Sequence, residues 1–285
     1  MPNLQNQVAQ ANAFRAMHRG KILVLPNAWD VVSARIIEGA GFGAIATTSA
    51  GIAFSLGYPD GQKISREEML LAVTRIAAGV QVPVTADVEA GYGNRPEDAG
   101  QTARRVIEAG AVGMNLEDTT NDSQRTLADL SLQLEKIGAV QEAGRALGVP
   151  IVLNARTDVY LLEVGAAENR YGEALRRLTA FRDAGADCLF VPGLRDAETI
   201  RRLVAELKHP VNILAVPGSP SIPELEKFGV ARVSLGSGTM RAALGVLAKI
   251  MQELNSTGTY ANLEGAPSHA ELNRLMRLSS EDDPH

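Results

Sequence analysis

Two acidic pairs carry the clearest chemical signal in this chain. Asp87-Val88-Glu89 closes the apolar run at 82–86, and Glu117-Asp118 closes the run at 112–116. Each run has the length and make-up of a buried strand, so each pair falls where a strand runs out. Side chains alternate along a strand, which predicts that Asp87 and Glu89 point the same way. Neighbouring strands lie about 4.8 Å apart, so Glu117 joins them within reach of one cation. Three carboxylates in a fold interior repel one another without a positive partner. A hard divalent ion suits an all-oxygen set; magnesium keeps several waters and accepts an anionic substrate. The reading is a metal-dependent enzyme with Asp87, Glu89 and Glu117 as its metal ligands. Asp118 is either a fourth member or an outward-facing cap.

Other strand ends add candidates. Arg156 lies two residues past Asn154, so both face inward. It is a counter-ion for the acids, a bidentate clamp on a substrate carboxylate, or both. Thr48-Ser49-Ala50-Gly51 offers small residues and free amides suited to a carboxylate or phosphonate. Asp60, in Leu56-Gly57-Tyr58-Pro59-Asp60-Gly61, reads by itself as a turn residue. Gly91-Tyr92-Gly93-Asn94 permits a tight loop in which Tyr92 lines a pocket or packs. Gly236-Ser237-Gly238 reads as a plain loop more readily than as a phosphate site. None of the four histidines (His18, His209, His269, His285) ends a strand, which argues against zinc and a histidine base. No lysine ends a strand, which argues against Schiff-base chemistry.

The elements that position these residues alternate regularly. Strands are predicted at 22–25, 44–47, 82–86, 112–116, 151–155, 188–191, 211–214 and 231–234. Helices are predicted at 29–39, 66–78, 96–109, 130–147, 171–184, 197–207, 222–228 and 239–253. Glycines that end helices just ahead of strands support this count. Strict strand–helix order predicts an α/β fold, one closed (β/α)8 barrel over residues 1–255 with a leading N-terminal helix. Residues 256–285 read as an extended tail that crosses to a partner subunit. At 285 residues, with 45% hydrophobic and 21% charged content, the chain suits one such barrel. Its net charge of −5 carries no basic block, which excludes nucleic acid as an expected partner. No apolar run approaches the roughly 20 residues of a membrane span, and residues 1–20 lack a signal-peptide layout. The lone cysteine, Cys188, points to a reduced, cytoplasmic setting.

Taken together, the segments at 44–51, 56–60, 86–94, 115–118 and 154–158 resemble the isocitrate lyase/phosphoenolpyruvate mutase superfamily. The likeness runs in consistent order over roughly residues 20–250. It implies a (β/α)8 barrel whose eighth helix is swapped between neighbours in a homo-oligomer, a dimer or a tetramer of paired dimers. It implies magnesium, and a small 2-oxo acid or dicarboxylate reacting through its enolate. Position by position, Asp87, Glu89 and Glu117 match the magnesium-site acids, acting partly through water. Thr48, Ser49 and Ala50 match the loop that holds the substrate carboxylate, and Asn212 a polar strand-seven residue of the lyases. Asp60 and Arg156 match catalytic positions, Arg156 also binding substrate. The departures lie after strand four. Isocitrate and methylisocitrate lyases carry Lys-Lys-Cys-Gly-His there; this chain has Asp118-Thr119-Thr120-Asn121-Asp122-Ser123-Gln124-Arg125-Thr126-Leu127. Pro192 likewise replaces an acid or histidine found after strand six in several members. Residues 118–130 are expected to form a lid to which Asn121 and Thr119 or Thr120 contribute polar groups. Two expectations follow: a lyase or phosphonomutase-like enzyme, or a catalytically reduced protein that binds 2-oxo acids.

Overall fold

A computed structural model of the protein describes residues 4–120 and 126–277. Among the described residues, nine strand segments alternate with helices. The strands are β1 (Leu23–Leu25), β2 (Asn27–Ala28), β3 (Ile45–Thr47), β4 (Val84–Asp87), β5 (Gly113–Glu117), β6 (Val152–Arg156), β7 (Cys188–Phe190), β8 (Val211–Leu214) and β9 (Arg232–Ser234). All pair in parallel, in the order β1-β9-β8-β7-β6-β5-β4-β3-β2. The two ends of that order, β1 and β2, are one stretch of chain interrupted at Pro26. Proline has no N–H for the ladder, so the stretch pairs with β9 before it and with β3 after it. The sheet thus closes on itself as the expected (β/α)8 barrel.

The surrounding helices are α1 (Leu4–Ala16), α2 (Val31–Gly39), α3 (Ser49–Ser55), α4 (Arg66–Ala78), α5 (Pro96–Glu108), α6 (Leu130–Leu147), α7 (Ala167–Asp183), α8 (Ala197–Leu207), α9 (Ile222–Lys227), α10 (Gly238–Ser256) and α11 (His269–Met276). Local chemistry starts α4 and α5 where the sequence reading put them, whereas α7 begins at Ala167, four residues ahead of the expected 171. Ser65 and Glu68 form a capping box for α4, and Pro96 opens α5. The leading helix closes the amino-terminal end of the barrel. Gln7 of α1 donates to the carbonyls of Ile107 and Ala111, and Arg15 binds Asp187 at 2.7 Å. Phe14 enters the barrel from below, where a Cβ on Gly113 would lie 2.9 Å from its ring.

Two features differ from the sequence expectation. Residues 49–55 form the short helix α3 rather than a plain loop end, because Thr48 caps it by accepting from the Gly51 N–H. The tail is not extended throughout: it turns into α11, whose end is held on α2 by Arg35 donating to the carbonyls of Leu275 and Arg277. The apolar residues of α10 meet little of its own barrel. Met240 is buried, whereas Leu244, Val246, Leu247, Met251 and Leu254 are exposed.

Candidate active site

Asp87 is the last residue of β4 and is held from both sides. Its Oδ2 accepts from the Ser49 amide at 3.0 Å and the Ser49 hydroxyl at 2.7 Å. Its Oδ1 accepts from Asn115 at 3.3 Å, and Asn115 in turn accepts from Asn154 at 2.8 Å. Glu117, the last residue of β5, and Arg156, the last of β6, are register partners on the inner face. Arg156 Nη1 meets Glu117 at 2.8 Å, while Nε and Nη2 make a fork on Asp158 at 2.6 and 2.9 Å.

Glu89 reaches the same region by another route than the one strand alternation predicts. It lies beyond β4 in a left-handed conformation, φ 52°, so it is a turn residue. Its carbonyl accepts from the Glu117 N–H at 3.0 Å, which ties the turn to β5. Its Oε2 accepts from the Gln62 amide at 2.5 Å, and its Oε1 is buried without a partner. The turn continues through Gly91 (φ 89°) and Tyr92 (φ 57°). A Cβ on Gly91 would crowd Leu116 and Ala99, so glycine is required there by space as well as by φ.

Lys136, on the buried face of α6, clamps this turn. Its ammonium donates to the carbonyls of Ala90 at 3.2 Å and Gly93 at 2.8 Å. The sequence reading missed it; the available signal was Gln133 and Lys136 interrupting the apolar stripe that continues through Ile137 and Val140. Lys136→Met is expected to loosen the acid-bearing turn without melting α6. The affinity for a divalent cation should fall about 10–100-fold by calorimetry, with the far-UV circular dichroism unchanged. Unaltered affinity would show that the clamp is dispensable.

Burial and mutual repulsion dominate the electrostatics. Glu89 is pushed up to about 8, by burial first and then by Asp87 and Asp60. Burial also raises Glu117 well above the carboxylate range; Arg156 opposes this, and Asp158, Glu89 and Asp87 add to it. Burial alone would lower Arg156, but Asp158 and Glu117 hold it above the ordinary arginine value. Tyr92 is raised by burial and by the same carboxylates, and its hydroxyl is buried without a partner. Tyr92 packs against the core near enough to the acids to feel their charge.

The remaining candidates are placed as follows. Asp118 points out of the barrel, where Thr157, the Asp158 amide and Arg177 bind it at 2.7, 3.0 and 3.1 Å. That resolves it as a tie between β5, β6 and α7, not a fourth site acid. Thr48 and Ser49 stand at the start of α3 beside Asp87, and Ala50 follows inside the helix. Asp60 is exposed beyond α3, close enough to Glu89 to repel it. Asn212 lies on β8 in register with Phe190, itself the register partner of Arg156, and its amide donates to Ser234 at 3.2 Å. Of the segment 118–130, Thr119 bridges Leu127 and bonds Asp158, so its base is a narrow two-stranded neck. Asn121 lies outside the described residues.

Among the described residues, no three acidic, histidine or cysteine side chains stand close enough to form a ready-made metal nest. The donor set nevertheless fits one class of ion. Glu89 Oε1 is an orphaned buried oxygen, and the acids hold one another's ionisation back, so a cation would relieve both costs. A hydrated hard ion suits them, with water filling the gaps that three separated carboxylates leave.

The model of one family, phosphoenolpyruvate phosphomutase, matches residues 14–255. The chain belongs to this family. The wider grouping is the isocitrate lyase/phosphoenolpyruvate mutase superfamily that the strand-end residues resembled. A crystal structure from Burkholderia cenocepacia J2315 superposes with a TM-score of 0.90 at 38% identity, covering 96% of this chain and 98% of that one. Oxaloacetate decarboxylase of Rhodopseudomonas palustris (strain BisB5) is 28% identical over 94% of this chain and 92% of its own. Phosphonopyruvate hydrolase, crystallised with oxalate and Mg++, has a TM-score of 0.81 at 26% identity, covering 93% of this chain and 94% of that one. In this family frame the acids, Arg156 and the start of α3 sit at the carboxyl ends of the strands, the face on which barrels carry their chemistry.

Proposed function

We propose that this protein is a magnesium-dependent enzyme that makes or breaks a C–C or P–C bond beside an α-oxocarboxylate. The observation that supports the reading is that buried Glu89 and Glu117 lie near enough to Asp87 for the acids to raise one another's proton affinity, with only Arg156 to offset them. Asp87, Glu89 and Glu117 would hold the ion, largely through water. Bound there, magnesium supplies Lewis-acid stabilisation of negative charge developing on the substrate oxygens. Arg156 orients a substrate carboxylate from a side chain whose position Glu117 and Asp158 already fix, so little entropy is lost on binding. Ser49, placed against Asp87, and Thr48 line the other side of the carboxylate position. Tyr92 closes the wall beside the acids, and the neck of the 118–130 segment stands where a lid would exclude water. Oxaloacetate, phosphonopyruvate and 2-methylisocitrate should be assayed with magnesium and with a chelator. Turnover lost on chelation is expected for at least one; none across the panel by folded protein overturns the reading.

One observation favours a second reading, a protein that binds 2-oxo acids without turning them over. The segment after β5 has neither the cysteine nor the histidine of the lyases. Tight oxo-acid binding beside zero turnover would establish it.

The pH dependence follows from Glu89. A cation requires its carboxylate, so magnesium affinity should climb about tenfold per pH unit up to about 8 and then level. In the metal-free chain the folded state holds this proton where the unfolded chain, titrating near 4.5, has released it. That stability contribution is complete below pH 4.5 and is lost as pH rises through about 8. Calorimetry and denaturation across this window, against Glu89→Gln, check both trends; a flat affinity profile refutes them.

The exposed apolar face of α10 supports a homo-oligomer in which this helix docks on a neighbouring barrel, in a dimer or tetramer. Sedimentation of the wild type and Leu247→Lys would test it; a monomeric wild type rules it out.

A further inference from the structure

The base of the barrel holds a cation that the acid site does not use. Arg232 opens β9, is register partner of Asn212 on β8, and is 1% exposed. Strand partners share a face, and Asn212 donates to Ser234, two residues past Arg232. All three therefore point into the barrel. The guanidinium lies 5.9 Å from the centroid of Phe14, the ring that enters from below, and Phe14 in turn meets His18 edge-on at 5.0 Å.

Nε, Nη1 and Nη2 of Arg232 are all buried without a hydrogen-bond partner. Burial lowers its pKa only to about 10, so the group remains a cation at neutral pH. Leaving such a charge dry costs several kcal/mol, far more than a cation–π contact returns. Something must accept its five N–H bonds.

The surrounding orphans identify what does. Asn115 donates its amide nitrogen to Asp87 and accepts from the Asn154 amide nitrogen through its oxygen. Asn154 Oδ1 is thereby fixed as an acceptor, and it is buried without a partner. His18 Nδ1 faces the Phe14 carbonyl at 2.9 Å and must donate to it. Burial holds His18 near 4, so the ring is neutral and its orphaned Nε2 is an acceptor too. Asn212 Oδ1 and the Thr85 hydroxyl are likewise buried and unmatched. The barrel interior thus holds unmatched donors on Arg232 and unmatched acceptors on the same inward face.

A halide or phosphate would satisfy the arginine but set its charge against the lone pairs of Asn154, Asn212 and His18. Water is the smallest group that both accepts from the first and donates to the others, and it brings no charge of its own. We infer that Arg232 is solvated inside the barrel by a buried water cluster that bridges it to Asn212, Asn154 and His18. The cluster lies beneath the Asn154–Asn115–Asp87 hydrogen-bond chain, so a hydrated positive charge underlies the acid site. This inference does not depend on the proposed reaction.

The test is a high-resolution crystal structure of the full chain, grown with and without bromide. At least about two ordered waters, each with roughly three hydrogen bonds, are expected between Arg232 and these acceptors. An anomalous bromide peak at the guanidinium overturns the inference, as does an Arg232 bonded directly to protein oxygens with no water between. Oxygen-17 relaxation dispersion on the wild type and Arg232→Met gives a solution count. Loss of about two or more long-lived waters supports the cluster; an unchanged count sinks it. Should the variant fail to fold, the wild-type crystal decides alone.

Discussion

Arg156→Met is expected to cost about 3–5 kcal/mol of folding stability and to abolish activity. The side chain is 14% exposed and binds Glu117 and Asp158, whose side chains are 5% and 0% exposed. Methionine keeps the volume but strands the buried Asp158, and Glu117 beside it, without a cation. Such a loss exceeds the net worth of the ion pairs, because the stranded charges, not the missing bonds, set it. Adding Asp158→Asn to Arg156→Met should recover part of the stability, since one orphan charge is then gone. Activity should not return, because a substrate carboxylate still lacks its clamp. Urea denaturation of the four species measures the coupling. A single-variant loss under about 1 kcal/mol, the range of an exposed pair, would show that the arginine is not the buried counter-ion described here.

Asp87→Asn is expected to separate function from stability. The amide keeps the shape and most of the contacts with Ser49 and Asn115. It removes one charge from a group whose members raise each other's proton affinity. Turnover should fall on the order of 10²–10³-fold, the cost of losing one preorganised electrostatic contact, and magnesium binding should weaken with it. Thermal stability of the metal-free protein should hold or rise, because repulsion on Glu89 and Glu117 is relieved. A structural acid would behave the opposite way, losing stability with its bonds. Intact turnover and intact magnesium binding in the folded variant would remove Asp87 from the site.

How far the sequence reaches is clearest at Asp87 and Glu89. Both were expected as site acids from strand-end position, and both lie at the mouth of the barrel. The geometric reason held for Asp87 alone. Glu89 sits in a left-handed turn that Lys136 clamps from α6, and a clamp from a helix some forty residues away leaves no local periodicity to read. Asp118 shows the converse. Its neighbour Glu117 marked the pair as chemical, but one step along a strand reverses the face, and Arg177 on α7 then claims the outward carboxylate.

Local patterning therefore determined the barrel itself: apolar runs, helix caps and the glycines between them are short-range signals, and strict alternation leaves one closed arrangement. Charge at strand ends, read by residue type, likewise pointed to the mouth of the barrel as the candidate site. Only packing decided which carboxylates share the interior, how Arg156 divides itself between Glu117 and Asp158, and that the barrel base encloses Arg232. Those outcomes depend on burial and on distances between residues remote in the chain. Such quantities come into being only when the sheet closes and water is excluded, so no run of letters contains them.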